Sequence, residues 1–231
     1  MTDPFLLAEP AAVSSPALLG KGIAFCDTSD GLAAIDQPDT DLVVWRRALP
    51  SHLRTWLDGL EASCLPDLRL LVRPDDLRRA LQPHLDACGL PSGDLRDLLI
   101  RDVEDLVSTF SKATQTDLVD VRLERVDHDA CWRFHRDCVE ARLLTTYRGP
   151  ATEWVQPTHG EQALREQKLF TGPIERLGAH DVAIFKGSCA GPGSGIVHRS
   201  PPITGTGRTR LLLCLNKPSV VSPAVWSAEG R

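Results

Sequence analysis

The spacing of apolar residues changes near residue 117, and this change constrains the fold more than any other feature of the sequence. Between residues 94 and 113, apolar residues recur every three or four positions, which predicts one long amphipathic helix. From Asp117, "DLVDVRLERV" alternates apolar and charged residues, which is typical of a strand with one buried face. Further candidate strands follow, separated by Gly/Pro loops: "RLLTTYR", "TEWV", "VAIFKG", "GIVHRS" and "TRLLLCLN". The sequence therefore predicts an α+β protein, with a helical N-terminal region packed on a C-terminal antiparallel barrel or jelly roll.

Three shorter patterns precede the long helix. "DLVVW", residues 41 to 45, predicts a strand, and "PSHLRTWLDGLE" predicts a helix with Ser51 as its N-cap. "RPDDLRRALQPHLDAC" is helical in pattern, but Pro83 is expected to kink or split that helix. The predicted organisation has three parts, which are a loosely ordered N-terminus at 1–20, a mainly helical region at 21–116 and a barrel at 117–220 that forms one compact unit with the helical region.

Composition excludes several classes of function. The net charge of −5 argues against nucleic-acid binding, which usually shows as a basic surplus. The sequence contains no run of about 18 apolar residues that could span a membrane. Seven cysteines, an odd number without the spacing of a disulfide scaffold, predict a reducing cytoplasm. The substrate, whether a small molecule or a protein, and the oligomeric state are not indicated.

The segment "CWRFHRDC", residues 131 to 138, contains the first candidate metal ligands and has two interpretations. On a strand, His135 and Asp137 point the same way with Cα atoms roughly 6 to 7 Å apart, so both reach one ion. On a helix, Cys131, His135 and Cys138 share a face instead, which suits a thiolate–imidazole zinc site. The strand is favoured because alternation precedes the segment and "RLLTTY" follows it. A pair of hydrogen-bonded polar residues at a strand end is the alternative without a metal.

A second histidine strengthens the metal interpretation. His198 ends the apolar segment "GIVH", and Arg208 and Arg210 precede the strand "LLLCLN". Two imidazoles and one carboxylate form the facial triad that leaves open positions on non-haem Fe(II). An arginine on the next strand offers two parallel N–H donors to a carboxylate ligand. Arg208 and Arg210 have the same strand parity, so parity does not choose between them.

Residues 135 to 216 resemble the double-stranded β-helix, a jelly-roll or cupin-like barrel, of the Fe(II)- and 2-oxoglutarate-dependent dioxygenases. The resemblance rests on the order of His135-Arg136-Asp137, "LLTTYRGPATEW", "DVAIFKG", His198 and Arg208. More narrowly, the Cys-x3-His-x-Asp block and "TTYRGPATEW" resemble the domain-of-unknown-function family 1826. That match includes "LVVWRR" at 42 to 47 and extends over most of the chain.

The resemblance implies a metal-binding barrel that hydroxylates a substrate with Fe(II) and 2-oxoglutarate as cofactors. It assigns His135, Asp137 and His198 to the iron. It assigns Arg208, or failing it Arg210, to the distal carboxylate of 2-oxoglutarate. Tyr147 or Thr145 would add a hydrogen bond to this cosubstrate.

Two other functions stay open. Cys131 and Cys138 beside the triad favour a zinc-binding or metal-homeostasis protein without oxygenase activity, in which these thiols and a histidine hold Zn²⁺. A degenerate barrel that has kept the fold and acts as a binding module is the third interpretation.

Overall fold

The computed structural model describes residues 17–18, 22–191 and 195–228. The strands are β1 (Ala17–Leu18), β2 (Gly22–Cys26), β3 (Thr40–Trp45), β4 (Leu68–Val72), β5 (Val119–Val126), β6 (Ala141–Arg148), β7 (Glu153–Trp154), β8 (Glu175–Arg176), β9 (Val182–Lys186), β10 (His198–Arg199) and β11 (Arg210–Asn216). The α-helices are α1 (Ser51–Gly59), α2 (Leu77–Ala87), α3 (Asp94–Thr114) and α4 (Gly160–Glu166). The predicted mixed α+β class is confirmed. None of the helices in these ranges has the length and hydropathy needed to cross a membrane.

Eight strands form one large sheet in the order β1-β2-β3-β9-β6-β11-β5-β4. Neighbours are antiparallel except β2 and β3, which are parallel. The predicted helical region contributes β2, β3 and β4 to this sheet, and only β3 is anticipated by the sequence patterns. Short apolar segments such as "GIAFC" and "LRLLV" lack a clear period of two, so periodicity does not separate them from buried helix.

Alternation divides the side chains of the large sheet between two faces. In β11, Leu211, Leu213 and Leu215 pack in the same apolar cluster as helices α1 to α3, and we call this face the helix side. Leu212 and Cys214 belong to a second cluster on the opposite face, which we call the cavity side. Alternate side chains of a strand therefore pack against the helices, and the side chains between them face the cavity side.

A three-stranded sheet in the order β10-β7-β8 lies over the cavity side. Trp154 of β7 packs with Leu144, Phe185 and Leu212 of the large sheet. An isolated antiparallel bridge between His135 and His198 places the segment around His135 next to β10, as a fourth segment of the small sheet. The candidate metal ligands consequently lie between the two sheets.

Two local expectations differ from the structure, and a third lies mostly outside the described residues. Ser51 is the first residue of α1, and Pro50 occupies the cap position without a side-chain hydrogen bond, so the predicted N-cap is wrong. Helix α2 continues through Pro83. Pro83 is exposed, so water can satisfy the carbonyl group that proline leaves without a partner. Most of the N-terminus predicted to be loosely ordered, residues 1–20, lies outside the described residues.

Candidate metal centre

Two histidines and one aspartate meet between the sheets. His135, Asp137 and His198 each offer a ligand atom, and these atoms lie within 4.8 Å of one another. His135 Nε2 is 3.6 Å from Asp137 Oδ1, and His198 Nε2 is 3.3 Å from Asp137 Oδ2. Within the described ranges, no other group of three His, Cys, Asp or Glu residues is arranged to hold an ion. The structure thus brings together the three candidate ligands that the sequence proposes.

Backbone pairing accounts for this meeting of distant segments. The His135 amide donates to the His198 carbonyl and the His198 amide donates to the His135 carbonyl, both at 3.0 Å. His198 also pairs with Trp154 of β7, which connects the bridge to the small sheet. The segment around His135 is extended and not helical, so Asp137 follows on the side that faces His198.

Backbone carbonyls orient both imidazoles. Nδ1 of His135 lies 2.8 Å from the Arg133 carbonyl, and Nδ1 of His198 lies 3.0 Å from the Ile196 carbonyl. A carbonyl only accepts, so Nδ1 carries the proton in each ring and Nε2 presents its lone pair toward Asp137 when the ring is neutral. This is the arrangement that metal-binding histidines adopt.

The carboxylate of Asp137 is buried and ionised, and one of its oxygens has no partner. Burial alone would raise the pKa of Asp137, but contacts with His135 and His198 and the charge of Arg142 outweigh it and hold the pKa well below its ordinary value. Oδ1 accepts from Arg142, whereas Oδ2 is buried without a hydrogen bond. An unpaired buried charged oxygen is costly, and a cation between it and the two Nε2 atoms removes that cost. The donor set therefore fits a metal ion.

The loop after β9 clamps the backbone of Asp137. The amide and hydroxyl of Ser188 both donate to the Asp137 carbonyl, at 2.8 and 3.1 Å. Gly187 passes so close that a Cβ there would lie 2.1 Å from the Val139 carbonyl oxygen and 2.6 Å from that of Asp137. These are backbone atoms, so a side chain at this position displaces the ligand segment.

We expect Gly187→Ala to destabilise the protein by about 1 to 3 kcal/mol, the usual cost of overpacking. Urea denaturation followed by circular dichroism measures this change. Gly59→Ala is the matched control, because a Cβ at Gly59 meets nothing within 4 Å and the residue ends helix α1. The control should be neutral or slightly stabilising. Equal stability of both variants would refute the tight approach at Gly187.

A cavity of about 320 Å³ opens beside the two histidines. On its large-sheet wall are Arg122 and Glu124 of β5, Arg142 and Leu144 of β6, and Leu212 and Cys214 of β11. Thr152 and Ser200 also line the cavity. Burial raises the pKa of the Cys214 thiol to about 11, so this residue stays protonated. The volume is at the lower end of the range for small-molecule sites.

The two candidate arginines occupy different environments. Arg208 is exposed, whereas Arg210 is 1% exposed and shares its strand parity in β11 with Leu212 and Cys214 of the cavity side. Arg210 Nε donates to the Pro150 carbonyl at 2.8 Å, and Nη1 donates to Ser200 Oγ at 2.6 Å. Nη2 is buried without a partner, and none of the ion pairs among the described residues includes Arg210. Burial lowers the pKa of Arg210 to about 10.

Tyr147 and Thr145 lie away from the cavity. Both have the parity of the helix side, where the Tyr147 hydroxyl bonds Asp102 Oδ2 at 2.5 Å and the Thr145 hydroxyl donates to the His180 carbonyl at 3.3 Å. The sequence places them in the correct strand, but alternation turns them from the histidines. Their expected hydrogen bond to a cosubstrate has no support in this placement.

Cys131 and Cys138 are both exposed, and neither belongs to the ligand group. Cys131 lines the cavity with His135. Sequence reasoning missed two site residues, Arg142 and Ser200. Arg142 shares its strand parity in β6 with Leu144, so the alternation of this strand could have placed Arg142 on the cavity side. Nothing in the sequence around Ser200 distinguishes that residue.

The fold and the site define a mixed α+β protein with a two-histidine, one-carboxylate group between two sheets. The family described as "Protein of unknown function (DUF1826)" matches residues 26–216. The chain therefore belongs to this family, as the resemblance predicted. Among solved structures, the C-terminal truncated thymine-7-hydroxylase of Neurospora crassa in apo form is 10% identical, with a TM-score of 0.43 over 90% of this chain and 100% of that chain. No curated protein matches the chain.

Proposed function

We propose that this protein is an Fe(II)- and 2-oxoglutarate-dependent oxygenase that hydroxylates a substrate at the cavity beside His135 and His198. The observation that carries the proposal is the buried Asp137 Oδ2, which has no hydrogen bond from the described residues and lies 3.3 Å from His198 Nε2, with His135 completing the group of three candidate ligands. Two imidazoles and one carboxylate are the ligand set of non-haem Fe(II) oxygenases, and the cavity provides room for ligands on the open side.

The order of the strands supports a double-stranded β-helix. In the large sheet β9, β6, β11 and β5 are successive neighbours. Opposite them, the small sheet has the order β8, β7, β10, and the bridge at His135 comes next. From β5 to β11 the chain thus passes back and forth between two facing antiparallel sheets, with β7 and β8 consecutive in the small sheet, which is compatible with a jelly roll. The histidines and Asp137 lie at one end of this sandwich.

In the proposed site His135, Asp137 and His198 hold Fe(II), and each has a defined task. The Arg133 and Ile196 carbonyls keep Nδ1 protonated, so Nε2 is the donor atom of each ring. Asp137 supplies the single negative charge. Bound Fe(II) would activate O₂, which is the oxidant for hydroxylation, and 2-oxoglutarate would supply two electrons as it is converted to succinate and CO₂.

Arg210 is the proposed residue for the distal carboxylate of 2-oxoglutarate. Its guanidinium is buried and unpaired, and Nη2 has no partner. Such a cation is costly unless an anion joins it. Ser200 bonds Nη1 and lines the cavity, so the Ser200 hydroxyl and the arginine can hold one carboxylate together. Arg208 is too exposed to supply a comparable interaction.

A cytoplasmic location is part of the proposal. All seven cysteines are free thiols, which suits a reducing compartment.

The test is spectroscopic and needs no substrate. We expect purified protein, given Fe(II) and 2-oxoglutarate without air, to show a weak visible charge-transfer band. Succinate in place of 2-oxoglutarate is the control, because it lacks the 2-oxo group that chelates the metal, and it should give no band. In air, the loaded protein should slowly convert 2-oxoglutarate to succinate.

Two other outcomes would each support a different function. Absence of the band, together with stoichiometric zinc that Cys131→Ser removes, would identify a zinc-binding protein. Cys131 is the thiol to test because it lines the cavity with His135. A folded protein that binds neither metal would be a binding module.

A further inference from the structure

Arg142 contacts both the candidate metal ligand and the cavity. It is the second residue of β6, on the cavity side of the large sheet. Nη1 forms an ion pair with Asp137 Oδ1, and Nε donates to Asn216 Oδ1 at 2.7 Å. The Arg142 side chain is 19% exposed and that of Asp137 is 4% exposed, so the pair is shielded from water.

The two contacts of Arg142 fix its orientation and leave one nitrogen free. Within the described ranges, hydrogen bonds occupy Nε and Nη1, and Nη2 has no partner. Because Arg142 lines the cavity, an anion bound on the open side of the metal comes within reach of this nitrogen. A guanidinium presents its N–H donors in a rigid fork that suits a carboxylate.

Arg142 differs in its ion-pair partner from Arg122, another arginine that lines the cavity. Arg122 is paired with Glu124, which is not a candidate ligand. The ion pairs of the described residues give Arg142 only Asp137 as a carboxylate. When a metal binds Asp137, two cations share one carboxylate and repel each other. A carboxylate ligand at the metal relieves this repulsion.

We infer that Arg142 couples the metal to its anionic ligand, so that the metal and a carboxylate on the metal bind tightly only together. The inference rests on the proposed metal centre and deepens it. Arg142 shares Asp137 with the metal through Nη1 and donates Nη2 to the carboxylate. It also holds Oδ1, which leaves Oδ2 as the metal-binding oxygen.

The experiment measures Co(II) affinity by visible absorption, with and without saturating 2-oxoglutarate. In the wild type, 2-oxoglutarate should raise Co(II) affinity strongly. In Arg142→Met, Co(II) alone should bind at least as tightly as in the wild type, because a repelling charge is gone. The enhancement by 2-oxoglutarate should fall by about 10-fold or more, within the roughly 5- to 150-fold range of coupled sites. By linkage, the factor by which Co(II) enhances 2-oxoglutarate affinity should fall by the same amount.

Arg122→Met is the matched control, because it removes an equal charge from the same wall without touching a ligand. Its enhancement should equal that of the wild type. If Arg142→Met does not fold, Arg142→Lys takes its place, since lysine keeps the charge and loses the fork. The lysine variant should show a smaller loss of enhancement in the same direction.

The outcomes separate the inference from the proposed function. A wild-type protein that binds no Co(II), or gains no affinity from 2-oxoglutarate, refutes the proposed function and this inference with it. A coupled wild type whose enhancement survives in Arg142→Met, with weaker binding of Co(II) alone, refutes the inference only. Arg142 would then merely position Asp137.

Discussion

Asp137→Asn is expected to abolish metal binding while leaving a folded protein. Asp137 supplies the only negative charge of the ligand group, and an amide oxygen is a much weaker ligand for a divalent cation. Loss of a partner outside the ligand set typically costs about 10- to 100-fold in metal affinity, so loss of the carboxylate itself should exceed about 100-fold. Titration with Co(II) or Fe(II), followed by absorption, measures this loss.

The same substitution also tests the ion pair with Arg142. Breaking a buried pair usually costs about 3 to 5 kcal/mol, and asparagine can still accept one hydrogen bond from Arg142, so we expect a cost near the lower end. Glu140→Gln is the matched control. Glu140 lies three residues further on, and its exposed side chain pairs with Lys217. Metal affinity and stability should be nearly unchanged in the control.

Two results would argue against the metal centre at Asp137. One is unchanged Co(II) affinity in Asp137→Asn. The other is an equal loss in Asp137→Asn and Glu140→Gln, which would indicate a general effect of charge.

Arg210→Met is expected to remove 2-oxoglutarate binding without destabilising the protein. Hydrogen bonds to charged groups contribute about 1.5 to 3 kcal/mol, which corresponds to roughly 10- to 150-fold in affinity. We expect a loss near the upper end, since the guanidinium is buried and Ser200 orients it. Titration calorimetry with 2-oxoglutarate in the presence of Mn(II) measures the change.

Stability provides an independent second measurement for Arg210. Removing a buried, unpaired cation should leave the free energy of unfolding unchanged or slightly higher. Arg208→Met is the control, and because Arg208 is exposed it should change neither affinity nor stability. A loss of affinity in Arg208→Met alone would reverse the assignment. Large destabilisation in Arg210→Met without loss of affinity would show that Arg210 only supports the fold.

The β-rich C-terminal part could be predicted from the sequence because apolar and polar residues alternate along its strands. Val119, Val121 and Leu123 mark the face of β5 that packs under the helices, as their spacing predicts. The strands β2 and β4 were not accessible. Their short apolar segments carry no period, and only pairing with distant strands defines them as part of the sheet.

The candidate site also has features that the sequence predicts and features that only the folded structure defines. The spacing of His135 and Asp137 restricts them to one side of an extended segment, and His198 follows the recognisable apolar residues of "GIVH". Tyr147 shows the limit of such reasoning. Its strand was predicted correctly, but the face that carries the cavity depends on which sheet covers which side.

Sequence alone predicted the mixed class, the family, the three candidate ligands and the strands from residue 119 onward except β8, because these depend on residue type and local period. Tertiary structure alone decided that Arg210 is buried and Arg208 exposed, that Tyr147 faces the helices, and that Arg142 pairs with Asp137. Those three facts depend on burial and on contacts between strands that are neighbours only in the folded sheet. The position of a residue in a strand determines which face of the sheet its side chain occupies, but only the packing of the sheet determines what that face contacts.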